Sequence, residues 1–215
     1  MNKVIPNFLY IGSGVLLTLQ LTFGGVFIGT ILGIVLSVLR YSGIAGPIIT
    51  GIISLLRGTP LILQLSFIYF IAPSILGFRL SFLWAGIWAF GINSSAYVAE
   101  ILRSGIESLP KGQFEAAKTL EITRFYMWKD IILPQVIANI FPAMVNEVIA
   151  LLKETALIAM IGGLDIMRRA QTVAAEQYEY LMPLCMAGVY YYGLVLSIEF
   201  VGKKIEKWKP YAKDS

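Results

Sequence analysis

Between Lys3 and Arg40 the chain runs for 36 residues, Val4 to Leu39, without one charged side chain. A helix that crosses a bilayer needs about 20 mostly apolar residues, and a cleaved secretory leader has a much shorter apolar region followed by a cleavage site. The run therefore reads as a retained membrane span, drawn here from Tyr10 to Leu39. Four more stretches of that order follow, at Pro47 to Pro73, Leu80 to Leu102, Leu133 to Ile158 and Tyr180 to Val201. Hydrophobic residues make up 57% of the chain and charged ones 14%, far from the balance of a soluble domain. The expected fold is an all-α polytopic membrane protein with about five transmembrane helices. The 215 residues then form a single transmembrane domain, with no room for a separate catalytic domain.

Orientation follows from the Lys/Arg asymmetry of the loops, because cytoplasmic loops carry the excess. With the N-terminus outside, eleven basic residues fall inside (Arg40, Arg103, Lys111, Lys118, Arg124, Lys129, Lys203, Lys204, Lys207, Lys209 and Lys213) and four outside (Lys3, Arg79, Arg168 and Arg169). The expectation is N-out and C-in, and the net charge of +4 reflects topology without requiring a nucleic-acid partner. The lone Cys185 and the absence of histidine leave no disulfide framework and no Cys-based metal site. No metal ligand set and no catalytic residue is expected.

Two features interrupt the apolar pattern. Arg57-Gly58-Thr59-Pro60 breaks the second stretch, since proline removes a backbone hydrogen bond and arginine is costly in hydrocarbon. The arginine either lines a cavity or snorkels to the headgroups. The second feature is a charged island carrying Arg103, Glu107, Lys111, Glu115, Lys118, Glu121, Arg124, Lys129 and Asp130 between two uncharged stretches. It must lie in water. Within it, Ser108-Leu109-Pro110 offers a helix start with a hydroxyl cap, residues Gln113 to Leu120 suit a short helix, and Thr123 suits the cap of a second. In the first span Gly25, Gly29 and Gly33 repeat every four residues, which lets another helix approach closely.

The island carries Glu115-Ala116-Ala117, then three residues, then Glu121, then nine residues, then Ile131-Ile132-Leu133-Pro134. This spacing resembles the signature loop of binding-protein-dependent ABC importer permeases of the type I fold, save that the family has glycine where Glu121 stands. Asn93 to Arg103, the Gly112-Gln113 pair and Arg57 to Pro60 look like the polar amino-acid branch of that family. Over residues 16 to 208 the resemblance implies a permease subunit of an amino-acid importer in a bacterial inner membrane. Residues 103 to 132 would then be a cytoplasmic loop whose coupling helix docks on an ATPase through Gln113, Glu115, Ala116, Ala117, Leu120 and Glu121. The chain has no Gly-x4-Gly-Lys-Ser/Thr phosphate loop, so ATP and magnesium would belong to separate ABC ATPase subunits and the chain itself would not be an enzyme. The family also implies an extracytoplasmic solute-binding protein and a second permease subunit. Because the chain has its own complete docking loop, a homodimer is the expected pairing.

Ionisable residues inside spans are candidates for the substrate path. Glu147 and Glu154 lie seven apart, close to two helical turns, so they share one face. With Thr155, Asn93, Ser94 and Gln64 they would line a net acidic cavity suited to a basic or polar amino acid. Two other readings of the chain are a small proton-coupled carrier or channel, and a membrane scaffold whose loop only recruits a partner.

Overall fold

The computed structural model describes residues 4–41, 45–77 and 79–206, and every regular element among them is helical. Lys3, Lys207, Lys209 and Lys213 of the orientation argument lie outside these residues. Helix α1 (Val4–Gly12) and α2 (Val15–Arg40) together form a 37-residue rod. Helices α3 (Gly46–Gly58) and α4 (Leu61–Ser66) meet at 100° across Thr59-Pro60, and α4 continues through a π turn into α5 (Ala72–Leu76). The long helix α6 (Phe82–Glu107) leads into the island, which folds as α7 (Lys111–Thr119) and α8 (Arg124–Tyr126). A second π turn joins α8 to α9 (Leu133–Glu154), and a 3-10 segment extends it to Ile161. Helices α10 (Ile166–Gln177) and α11 (Leu181–Glu206) complete the chain.

Three of these rods, at 4–40, 124–161 and 181–206, are long and apolar enough to cross a membrane, and the bent α3–α4 pair makes a fourth. Helix α6 has the length but not the apolarity, because other helices cover it. Its buried residues are mostly small or polar: Ala85, Gly86, Ala89, Gly91, Asn93, Ser94, Ser95, Ala96 and Ala99. A helix surrounded by protein needs close packing and satisfied polar groups more than it needs bulk hydrophobicity. Its most extensive neighbour is α2, whose Gly25, Gly29 and Gly33 are all buried. A Cβ placed on Gly33 would stand 2.7 Å from Cβ of Val98, and one on Gly29 would stand 2.8 Å from Cβ of Ser94. The glycine stripe is therefore a contact face, on which the two backbones come together.

Each break has a local cause. Pro60 has no N–H for the carbonyl of Leu56, four residues back, and the backbone at Thr59 and Pro60 is extended. Side chains replace the lost bond: Gln64 Nε2 donates to Leu56 O at 2.8 Å and to Thr59 Oγ1 at 2.8 Å. Asn93 of α6 adds a longer donation to the same carbonyl at 3.4 Å. The two π turns each end directly before a Leu-Pro or Ala-Pro step. There Leu133 N–H bonds Trp128 O and Ala72 N–H bonds Phe67 O, both five residues back. Widening the turn keeps these helices continuous through prolines whose rings would otherwise collide with the preceding turn.

The hydroxyl caps expected in the island do not form. Ser108 Oγ instead donates to Gly105 O at the end of α6, and Thr123 makes no side-chain cap to α8. The turn between α7 and α8 is a Schellman motif, with Ile122 N–H on Ala117 O and Glu121 N–H on Lys118 O, both at 3.0 Å. That motif puts its central residue in the left-handed region, and Glu121 has φ 54°. Glutamate thus holds the conformation in which glycine is favoured, at a cost of about 1–2 kcal/mol. Glu121→Gly should raise stability by up to about 1 kcal/mol, after the greater freedom of glycine in the unfolded chain is deducted. Thermal unfolding in detergent checks this, and an unchanged or lowered midpoint would show that the glutamate side chain compensates for the strain.

Candidate functional site

Helix α7 lies on its own chain through one face and leaves the other open. Ala117 is buried against Leu109, Met127, Ile132, Val136 and Ile140, with Phe114 and Trp128 alongside. Its small side chain fits into this cluster, beside Val136 and Ile140 of α9, so it faces inward. Glu115, Ala116, Lys118 and Glu121 are exposed, and so are three large apolar side chains: Leu120 at 71%, Phe125 at 67% and Tyr126 at 55%. Apolar groups this open in a charged loop are suited to contact with a protein partner. Sequence reasoning placed Leu120 in that contact and left out Phe125 and Tyr126; two adjacent aromatics in a water-facing loop were the available signal.

A second contact fixes α7 to α9. Gln113 and Gln135 exchange hydrogen bonds through their side-chain amides, at 2.9 and 2.8 Å, and Gln135 also donates to Ile131 O at 2.7 Å. Gln113, read from the sequence as part of the docking surface, is half-buried in this clamp. Together with the apolar cluster around Ala117, the amide pair ties the exposed face to the foot of the longest central rod.

At the same end of α6, Glu100 gathers arginines from three helices. Its Oε2 accepts from Arg40 of α2 at 2.9 Å, and its Oε1 accepts from Arg103 Nε at 2.8 Å. Arg57 of α3 stands 3.9 Å away and lies over the Tyr97 ring, 5.5 Å from its centroid. Arg103 also pairs with Glu107. Two grooves open around this network. One of about 570 Å3 is lined by Arg57, Tyr97, Glu100, Ser104, Ser108 and Asn139 among others, and one of about 400 Å3 by Arg40, Thr50, Ser54, Arg57, Tyr97 and Glu100.

The six residues proposed for the substrate path fall into three groups. Gln64 and Asn93 bond each other at 3.2 Å and serve the break at Pro60. Ser94 Oγ donates to Glu147 at 2.6 Å across the α6–α9 contact. Glu154 is half-buried at the end of α9, and Thr155 is buried with its hydroxyl on Leu152 O at 2.7 Å. None of the six lines either groove around Arg57. Beyond Thr155 the chain turns at Gly162, with φ 92°, and Asp165 caps α10 through Arg168 N–H while accepting from the Tyr191 hydroxyl at 2.9 Å. Burial pushes the Asp165 carboxyl above its ordinary range.

Comparison with known proteins agrees with this architecture. Residues 25–209 match the family described as binding-protein-dependent transport system inner membrane component. The chain is 46% identical over 207 residues to the putative glutamine transport system permease protein GlnP of Rickettsia typhi, covering 95% of each. It is also 46% identical over 208 residues to the arginine transport system permease protein ArtQ of Bacillus subtilis, covering 96% of this chain and 95% of that protein. A crystal structure of an amino acid ABC transporter with histidines superposes with a TM-score of 0.85 at 37% identity, covering 95% of both chains. Signature loop, helix order and these likenesses converge, and the chain belongs to the binding-protein-dependent inner-membrane permeases of ABC transporters.

Proposed function

We propose that this permease carries polar amino acids inward across a bacterial cell membrane, with its N-terminus outside and its C-terminus in the cytoplasm. The observation that carries the coupling part of this reading is the clamped docking helix. Helix α7 presents Glu115, Ala116, Leu120 and the Phe125–Tyr126 pair outward, while Ala117 and the Gln113–Gln135 pair fix its inner face to α9. A partner that seats on the outer face moves α9 with it. That partner is an ABC ATPase subunit, which binds ATP and magnesium and performs the hydrolysis. Two copies of this chain pair around the path, and a solute-binding protein delivers substrate from outside. The glutamine and arginine permeases among its relatives support an amino-acid substrate.

Within the path, Glu154 is the acidic group best placed to meet a cationic side chain. Glu147 is occupied by Ser94, whereas among the described residues Glu154 accepts no hydrogen bond. Thr155, Asn93, Ser94 and Gln64 belong to the same sequence pattern, and all four side chains are bonded within the protein.

Placing glutamate at both Leu120 and Phe125 should remove most of the ATPase that co-purifies with the permease, because two apolar anchors become charged. Membrane insertion should be unaffected. Full recovery of ATPase and normal ATP-driven uptake in the double variant would place docking elsewhere. Replacing Glu154 by glutamine removes a charge-assisted bond typically worth about 1.5–3 kcal/mol. In reconstituted vesicles arginine should therefore lose roughly tenfold or more in apparent affinity while glutamine loses much less. Equal losses for both amino acids would assign Glu154 a structural role.

A further inference from the structure

Arg57 is the under-used cation of the Glu100 network. Both carboxylate oxygens of Glu100 already accept from Arg40 and Arg103. Arg57 approaches to 3.9 Å without a hydrogen bond, and its side chain is 42% exposed. The ring of Tyr97 lies against the guanidinium, and Arg57 with its planar set of donors lines both grooves. The charges facing it are Arg40 and Arg103, which are basic, and Glu100 and Glu107, which are acidic, so the cluster as a whole is one positive charge in excess. Further along the larger groove the character changes from cationic to neutral and polar. Ser104, Ser108 and Asn139 line it there, and the Asn139 amide nitrogen donates to Ser108 Oγ at 3.3 Å, so its carbonyl remains an acceptor.

A fork of donors at one end and neutral acceptors at the other suit an amino acid with a long, donor-bearing side chain. We infer that this groove is a second amino-acid site, in which Arg57 holds the α-carboxylate and the Asn139 carbonyl with Ser104 receives the donors of the side chain. The site sits at the end of α6 that carries α7, so on the importer reading, on which this inference rests, it faces the compartment into which substrate is released. It is separate from Glu154 and the other five residues of the path. Its occupancy by released product would slow the next turnover.

The test uses the assembled importer in vesicles with ATP trapped inside, which restricts activity to complexes whose docking helices face the lumen. Arginine added to the lumen should slow initial uptake, whereas arginine methyl ester, which has no carboxylate charge, should not. Arg57→Gln should raise the half-inhibiting arginine concentration about tenfold, and Arg57→Lys should give a smaller increase. Inhibition that is absent in the parent, unchanged in Arg57→Gln, or equal for the ester would overturn the site. Titration calorimetry of the solubilised complex in the Glu154→Gln background reads the same groove without transport. There, arginine binding roughly tenfold weaker once Arg57 is also changed supports the site, and equal binding overturns it. Failure of the parent complex to take up any amino acid into vesicles that hold ATP but no lumenal arginine would instead count against the importer reading.

Discussion

The close contact between α2 and α6 is the constraint on which the remaining arrangement depends. Glycines at 25, 29 and 33 bring the two backbones together, and Ser37 donates to Ala99 O at 3.2 Å where the stripe ends. This places α6 at the centre of the protein. Its other faces then organise everything around it: Asn93 reaches the break after α3, Ser94 reaches Glu147 on α9, and Glu100 collects arginines from α2, α3 and its own last turns. A bulkier residue in the glycine stripe would push α6 outward and disturb all three contacts together. In a bilayer such polar groups have no water to turn to, so their mutual satisfaction is a condition of folding.

The breaks have a constructive role. At Pro60 the chain turns by 100°, the freed Leu56 carbonyl is taken by Gln64 and Asn93, and Arg57 is carried to the mouth of two grooves. At Pro134 the helix is kept continuous by a π turn, so that α8 and α9 form one rod from the island into the apolar region. Two prolines thus give opposite results. One sits in an extended step with side chains ready to bond the orphan carbonyl, and the other sits in a helix that widens by one residue per turn. Helix α6 ends in the same region, and the cluster around Ala117, Met127 and Val136 closes the gap between α6, α7 and α9.

Much of this was legible in the chain. Uncharged lengths between charges gave the spans and Arg57 to Pro60 gave the break, whereas Glu121 in a glycine position left open a strained turn or a continued helix, and the structure has the turn. The stretch from Leu80 to Leu102 became α6, less apolar than the outer rods because a central helix answers to packing and not to lipid. The sequence could not say which side of α7 is covered. Ala117 and Leu120 are one turn apart, yet one is buried and the other open, and the difference is made by Val136 and Ile140 from a helix some 20 residues on. The Gln113–Gln135 clamp was hidden for the same reason, since each glutamine alone is an ordinary polar residue. Glu147, read as a substrate group, accepts a hydrogen bond from Ser94, 53 positions earlier in the chain, which neither residue announces alone.

The account holds that α7 and α9 move as one piece when a partner acts on the docking surface. The amide clamp and the apolar cluster beneath Ala117 leave α7 no independent hinge, since even its C-terminal turn is closed by two backbone bonds. Electron–electron double resonance between nitroxides at Lys118 of α7 and Ile137 of α9, both exposed positions, measures this in the assembled complex. The same distance distribution with and without ATP is the predicted result. A shift or broadening on adding ATP would mean that α7 swings on its own and would contradict rigid transfer from the docking surface to the membrane path.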